Sequence, residues 1–332
     1  AQGICTGDTT TPKTNHRRPP KSDSSSVDTL STEKGPRNST AVSVLETFEA
    51  AGTISKDNLL KLADEHYQAR FEAALQEKVI HVVASGLSEV DMDILKALTS
   101  KSLANDVRIK LADKITKNTT LCITPLDVDA STGNATTLLR TVKVMRASLA
   151  GIPIVSPTWL YECGQERKAI PLSPHFLARS LPTKTDPASF GADTKHGVAR
   201  MAALLAQKAQ FPLYDYSIFF CGAFENSHRK DLQSLAREAG AKVLTNASAV
   251  TKKLGKAKVI LICHDTPTTG TVIPPPLLEA VRRSLAIHPK TTMVVNPQWI
   301  FESVTCAKFI PSNAFAPVNI KAKELWQLGQ VS

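Results

Sequence analysis

The sequence holds no apolar run approaching the ~20 residues that a membrane helix needs, so no membrane partner is expected. It has no secretory h-region at its start. It also lacks the signatures that place reactive groups: there is no G-x-G-x-x-G, no G-x-x-x-x-G-K-[ST], no G-x-S-x-G and no H-E-x-x-H. The 8 His do not pair with acids at any spacing that suggests a proton relay, so neither catalytic residues nor a small-molecule substrate is expected. Cys5, Cys122, Cys163, Cys221, Cys263 and Cys306 lie far apart, without a C-x-x-C pair or a His at metal-ligand spacing. No metal, cofactor or disulfide framework is therefore expected, and a reducing intracellular compartment is the natural setting. With four Tyr and three Trp, few rings are available for stacking on bases.

What is present suits a folded binding protein. At 332 residues the chain has room for about two ordinary domains, and its 42% hydrophobic content can fill their cores. Lys and Arg number 40 against 30 Asp and Glu, and the resulting charge of +10 favours an anionic partner. That bias alone does not separate nucleic acid from a phosphorylated protein. The chain does not begin with Met, which suggests a piece of a longer protein.

Residues 1–43 are rich in Ser, Thr, Pro, Lys and Asn, too polar to offset chain entropy by burial, and predict a disordered tail. Its basic pieces, His16-Arg17-Arg18 and Lys21, could help nuclear import, although such clusters are usually only solvated. Across 53–78 the pattern turns helical: Leu59, Ala63, Tyr67, Phe71 and Leu75 recur every fourth position and draw one apolar stripe. Such a helix packs on the domain that follows, or else docks a partner chain.

An internal repeat carries most of the information. Ile154-Val-Ser-Pro-Thr-Trp159-Leu-Tyr-Glu162 returns as Val294-Val-Asn-Pro-Gln-Trp299-Ile-Phe-Glu302, 140 positions later, and Ile170-Pro171 returns as Ile310-Pro311. Val83-Ala-Ser85-Gly86 likewise matches Phe220-Cys221-Gly222, an apolar strand closing in Gly before a helical pattern. Two copies of one α/β unit follow, at 79–178 and 213–318, joined by a linker over 179–212 that contains an amphipathic helix, with a tail over 319–332. Within the copies, strands alternate with helices, which predicts a small, mostly parallel sheet flanked by helices in each. The expected helices include Ser88–Ser100, opened by a capping-box-like Ser88-x-x-Asp91, and Thr137–Leu149 in the first copy. In the second they are Arg229–Ala239, Pro276–Leu285 and Pro297–Val304.

One place suits an anion. Ser85-Gly86 ends a strand just before a helix N-terminus, where free N–H groups and the helix dipole meet. Gly86 lets an oxyanion approach the backbone, Ser85 adds a hydroxyl, and Lys143 near the middle of the next helix supplies a cation. Each alone is an ordinary surface feature; together they form a candidate site.

These residues resemble the BRCT family over most of Val79–Pro317. Trp159 and Trp299 stand where the family has its core Trp. Gly86 and Gly222 match its first turn, and Gly240 its glycine before the second strand; the first repeat lacks that glycine at Leu103-Ala104. Within the family the chain looks like the C-terminal tandem pairs of the breast cancer type 1 susceptibility protein and its RING-domain partner, through Val82–Leu87 and Leu139–Lys143. The resemblance implies that Ser85, Gly86, Thr141 and Lys143 hold a phosphate. It further implies that Arg140 grips the bound peptide backbone and that Met145, Asn226, Ser227, Pro297 and Phe301 line a pocket for the third residue after the phosphoserine. Ser227 and Pro297 depart from the relatives that read Phe there. The implied function is a phosphopeptide-binding scaffold of the DNA damage response in the nucleus, whose partner is a phosphorylated nuclear protein. That scaffold could be the C-terminal part of a RING-type ubiquitin ligase. The alternatives are a DNA-binding repair module, making at least weak DNA contact, and a pair that binds unphosphorylated protein.

Overall fold

In the structure, a computed structural model, residues 55–129, 133–184, 195–264 and 273–330 are described, all within one compact unit. The tail expected over 1–43 lies outside them. The first helix, α1 (Lys56–Gln76), opens at Ser55, whose side chain accepts from the Asn58 amide. It buries Leu59, Ala63, Tyr67, Phe71 and Ala74, while Leu75 is only half-buried. A period of 3.6 explains this drift: a strict four-residue spacing slides around the helix, so the fifth buried position comes one residue early. The helix packs on its own chain, with Phe71 edge-on to Trp159 at 6.0 Å and the Tyr67 hydroxyl donating to Val198 O at 3.2 Å.

The first repeat runs β1 (Val79–Ala84), α2 (Glu89–Thr99), β2 (Arg108–Ala112) and β3 (Leu121–Ile123). A small hairpin of β4 (Leu126–Val128) and β5 (Ala135–Thr137) leads into α3 (Val142–Leu149), then β6 (Ile154–Val155), α4 (Thr158–Glu166) and β7 (Ala178–Ser180). Strands β2-β1-β3-β6 make one parallel sheet, and β4-β5-β7 a second, smaller one. The helix expected from Thr137 thus begins only at Val142. Residues 135–137 instead pair antiparallel with β4 and parallel with β7, where the β-branched Thr136 and Thr137 fit the pleated surface. Thr141 then starts the helix as N-cap, accepting from the Val144 amide at 3.2 Å.

After α5 (Gly197–Ala206) in the linker, the second repeat runs β8 (Tyr216–Cys221), α6 (Asn226–Glu238), β9 (Lys242–Val243), α7 (Ala247–Thr251), β10 (Lys258–Cys263), α8 (Pro275–Ile287), β11 (Thr292–Val295) and α9 (Gln298–Thr305). Its parallel sheet has the order β11-β10-β8-β9, so in both copies the first strand lies between the second and the third. The repeat extends to single bonds. Trp159 Nε1 donates to Ile170 O at 2.9 Å, and Trp299 Nε1 to Ile310 O at 2.7 Å, each ring fully buried. Helix α6 begins three residues earlier than expected, and α7 was not expected. Beyond Pro311, 319–332 is not simply a tail: α10 (Ile320–Gln330) buries Ala322 and Leu325 against the second repeat, and Trp326 Nε1 donates to Ser312 O at 2.9 Å.

One core joins the two repeats. Val144, Met145 and Leu149 of α3 meet Leu232, Leu235 and Ala236 of α6, with Trp299, Ile300 and Val304 of α9 and Val198 and Met201 of α5 in the same cluster. Arg146 crosses this boundary to Glu238, its Nε donating at 2.8 Å. The linker helix comes very close to α9: a Cβ on Gly197 would lie 1.8 Å from Thr305 O, so only glycine fits there. A linker wedged this tightly holds the repeats in one orientation.

Candidate functional site

Strand β1 carries the site's first side chain to the sheet's end. The Ser85 amide continues the ladder by donating to Ile123 O at 3.0 Å, and Gly86 then turns the chain at φ +67°. That backbone strains any L side chain, and a Cβ there would clash with the Leu139 side chain, so glycine is required both for conformation and for the packing of Leu139. Ser85 is nearly buried, and its hydroxyl lies 2.7 Å from the Thr141 hydroxyl. Thr141 therefore has two tasks, capping α3 and orienting Ser85. Lys143 sits in the first turn of α3, not near its middle, because the helix starts late; its Nζ donates to Ala84 O at 3.0 Å. That bond ties the ammonium to the strand end beside Ser85.

Ala84, Ser85, Gly86, Leu87 and Lys143 line a hollow of about 220 Å³, which continues past Met92 to Leu111, Ala112 and Asp113 at the end of β2. Thr141 stands behind Ser85 rather than in the lining. An anion here meets an ammonium, a hydroxyl and glycine backbone, donors that match a phosphate's oxygens. The helix dipole contributes less than the sequence suggested. Ser88 and Asp91 form a complete capping box at the start of α2, and Glu89 adds a second carboxylate to its first turn. With its N-terminus capped and flanked by negative charge, α2 leaves the cationic role to Lys143.

The residues expected to bind a peptide are less uniform. Arg140 turns inward: its Nη1 donates to Glu302 Oε1 at 2.8 Å and to Thr305 Oγ1 at 3.3 Å, and its guanidinium lies 5.8 Å from the Phe301 ring centre. Met145 does not line an open pocket, because the packing of α3 on α6 and α9 buries it completely in the shared core. Pro297 is also buried, at the cap position of α9. Asn226 and Ser227 lie exposed in the first turn of α6, and Phe301 is half-buried, 6.3 Å from the His228 ring. Gly222 and Gly240 turn at φ +101° and +96°.

Three side chains beside these residues have a placement that the sequence did not reveal. Glu302 is buried and accepts from Arg140, from Gln298 Nε2 and from the Lys184 amide, yet its repeat mate Glu162 is partly exposed beside His175. The repeated Glu was visible; its burial was not. His228 carries no motif, and Asp113 follows an unremarkable strand. Among the described residues no cluster of three or more His, Cys, Asp or Glu could hold a metal ion. Cys122, Cys163, Cys221, Cys263 and Cys306 are all buried, and burial pushes Cys122 and Cys306 up to about 12, far from reactive thiolates.

Residues 70–163 match the family described as the BRCA1 C Terminus (BRCT) domain. No curated protein matches the chain. Among solved structures it is similar to BRCT1,2 of Rad4 in complex with a Crb2 phosphopeptide, at 14% identity over 71% of this chain and 96% of that one, with a TM-score of 0.24. It is also similar to BRCT3,4 of Rad4 from S. pombe, at 13% identity over the same shares of each chain and a TM-score of 0.24. Yeast Rtt107, solved with Mms22, matches at 14% identity over 83% of this chain and 55% of that one, with a TM-score of 0.26. The matched segment falls on the first parallel sheet and its helices, and the second sheet has the same strand order, so the chain has two BRCT-like α/β repeats packed in tandem.

Proposed function

We propose that the tandem repeats bind a phosphoserine segment of a partner protein and act as a scaffold, not an enzyme. The single observation that supports this most is the assembly of Ser85, Thr141, Gly86 and Lys143 at one strand end, with the two hydroxyls 2.7 Å apart. A phosphoserine carries about −1.5 to −2 charges. Lys143 pairs with no carboxylate among the described residues, so it can meet that charge. The family match over 70–163 supports the same reading, as does the rigid joint between the repeats, which suits a ligand lying across both. On the second repeat Ser227 and His228 are exposed and Phe301 is half-buried; we infer that they meet the third residue after the phosphoserine, a smaller and more polar wall than one built with Met, which accepts small or aliphatic residues. The setting we propose is DNA damage response in the nucleus. The likeness of Val82–Leu87 and Leu139–Lys143 to RING-associated pairs extends the proposal to a longer protein that transfers ubiquitin.

The test is a titration of phosphorylated and unphosphorylated serine peptide libraries, with duplex DNA alongside, at several salt concentrations. The proposal expects binding that requires phosphate. Binding to DNA alone, or equal binding of both peptide libraries, would overturn it.

A further inference from the structure

The hollow that holds Ser85, Gly86 and Lys143 does not stop at the phosphate-binding groups. It runs to the end of β2, which is the edge strand of its sheet, where Met92, Leu111 and Asp113 line it. Leu111 is 38% exposed, and Asp113 is exposed and pairs with no cation among the described residues. No residue of the second repeat lines this hollow, and the second repeat packs on α3 instead, so the β2 end is left to the part of a bound peptide on the other side of the phosphoserine from the residue proposed to meet Ser227, His228 and Phe301.

We propose that Met92, Leu111 and Asp113 form a subsite for a Lys or Arg immediately before the phosphoserine. The proposal rests on the phosphopeptide reading above. A long basic side chain matches this surface in both of its parts. Its methylene stem lies along Leu111 and Met92 while its charged head reaches Asp113. Opposite charges at the two ends of one hollow, Lys143 and Asp113, give the peptide a polarity: phosphate at the α3 end, cation at the β2 end. An acidic residue in the same place meets Asp113 as a like charge. Asp113 thus selects among phosphopeptides without touching the phosphate.

The experiment uses the full chain and phosphoserine peptide libraries with Lys, Ala or Glu fixed before the phosphoserine, each with an unphosphorylated copy, titrated against the parent, Asp113→Ala and Asp113→Lys. An exposed pair of this kind predicts that the Lys library binds the parent about two- to five-fold tighter than the Ala library, with Glu weakest and the spread shrinking as salt rises. Asp113→Ala removes the spread and Asp113→Lys reverses it, while dependence on phosphate stays. Equal binding of the three phosphorylated libraries to the parent, or a spread that survives Asp113→Ala, overturns the subsite and leaves the phosphate site standing. Binding that ignores phosphate in every library overturns both.

Discussion

Arg140 and Glu302 form an ion pair across the boundary between the two repeats, with 2.8 Å between Nη1 and Oε1 and side chains only 9% and 0% exposed. The pair joins the residue just before the α3 cap to the middle of α9. Glu302 Oε1 also accepts from the Lys184 amide, which brings the linker to the same point, while Oε2 has no partner. A carboxylate this buried depends on its cation.

Removing either partner should therefore loosen the joint. Arg140→Ala leaves a buried carboxylate uncompensated, which costs about 3–5 kcal/mol. Thermal or urea unfolding of Arg140→Ala and of Arg140→Met/Glu302→Gln should show the double variant closer to the parent than the single one. An Arg140→Ala melting temperature equal to the parent's would mean that the pair contributes nothing to the joint.

The proposed phosphate site should behave differently, changing binding but not folding. Lys143 and the Ser85 hydroxyl each offer a charge-assisted hydrogen bond worth about 1.5–3 kcal/mol. Ser85→Ala and Lys143→Ala should each weaken phosphopeptide binding about ten- to a hundred-fold by calorimetry, with unfolding midpoints close to the parent's. Thr141→Ala should lower both, because it also caps α3. Parent-like affinity in Lys143→Ala would remove this residue from the site.

Trp159 and Trp299 should act through stability. Each ring is fully buried and donates to a backbone carbonyl eleven residues on, Ile170 O and Ile310 O. Truncation to Ala empties a large cavity and orphans that carbonyl, a cost of about 3–5 kcal/mol in each repeat. Because one core spans both repeats, Trp299→Ala should lower the stability of the whole unit in a single transition. Two separate transitions in calorimetry would show that the repeats unfold independently.

Stability should also fall with acid before the carboxylates titrate. Burial lowers the His66 pKa, reinforced by Arg70 and opposed by a backbone bond to Gly151; burial also lowers His196, with Lys56, Arg179 and Lys195 adding to it. In the unfolded chain both return to their ordinary value of 6.5, so below that pH the unfolded state takes up protons that the fold refuses. Their contribution is full above pH 6.5 and declines as pH drops toward the folded values. Melting temperatures recorded from about pH 7.5 to about 5, above the usual carboxylate range, should slope downward in the parent and be flatter in His66→Gln/His196→Gln. An unchanged slope in the double variant would assign the effect elsewhere.

Local pattern was sufficient for much of this molecule. The repeat of Trp159 in Trp299, the apolar stripe of α1, the Ser88–Asp91 capping box and the alternation of strand and helix were legible because each depends on residues a few positions apart. The phosphate candidates were legible for a related reason. Ser85 and Gly86 follow one strand and Thr141 and Lys143 start one helix, and it was the likeness of these two short segments to the BRCT family that named them as candidates. Contacts between distant parts of the chain were not legible. Ala135–Thr137 is a strand because β4 and β7 lie on either side of it, a fact absent from its own three residues. Met145 and Pro297 fit the pattern of pocket-lining residues, yet the packing of α3, α6 and α9 buries both. Arg140 reads as a peptide-gripping residue until Glu302, 162 positions away, is placed against it. Periodicity decides which face of an element is apolar, but only the meeting of faces in three dimensions decides which polar group loses its water and what must replace it.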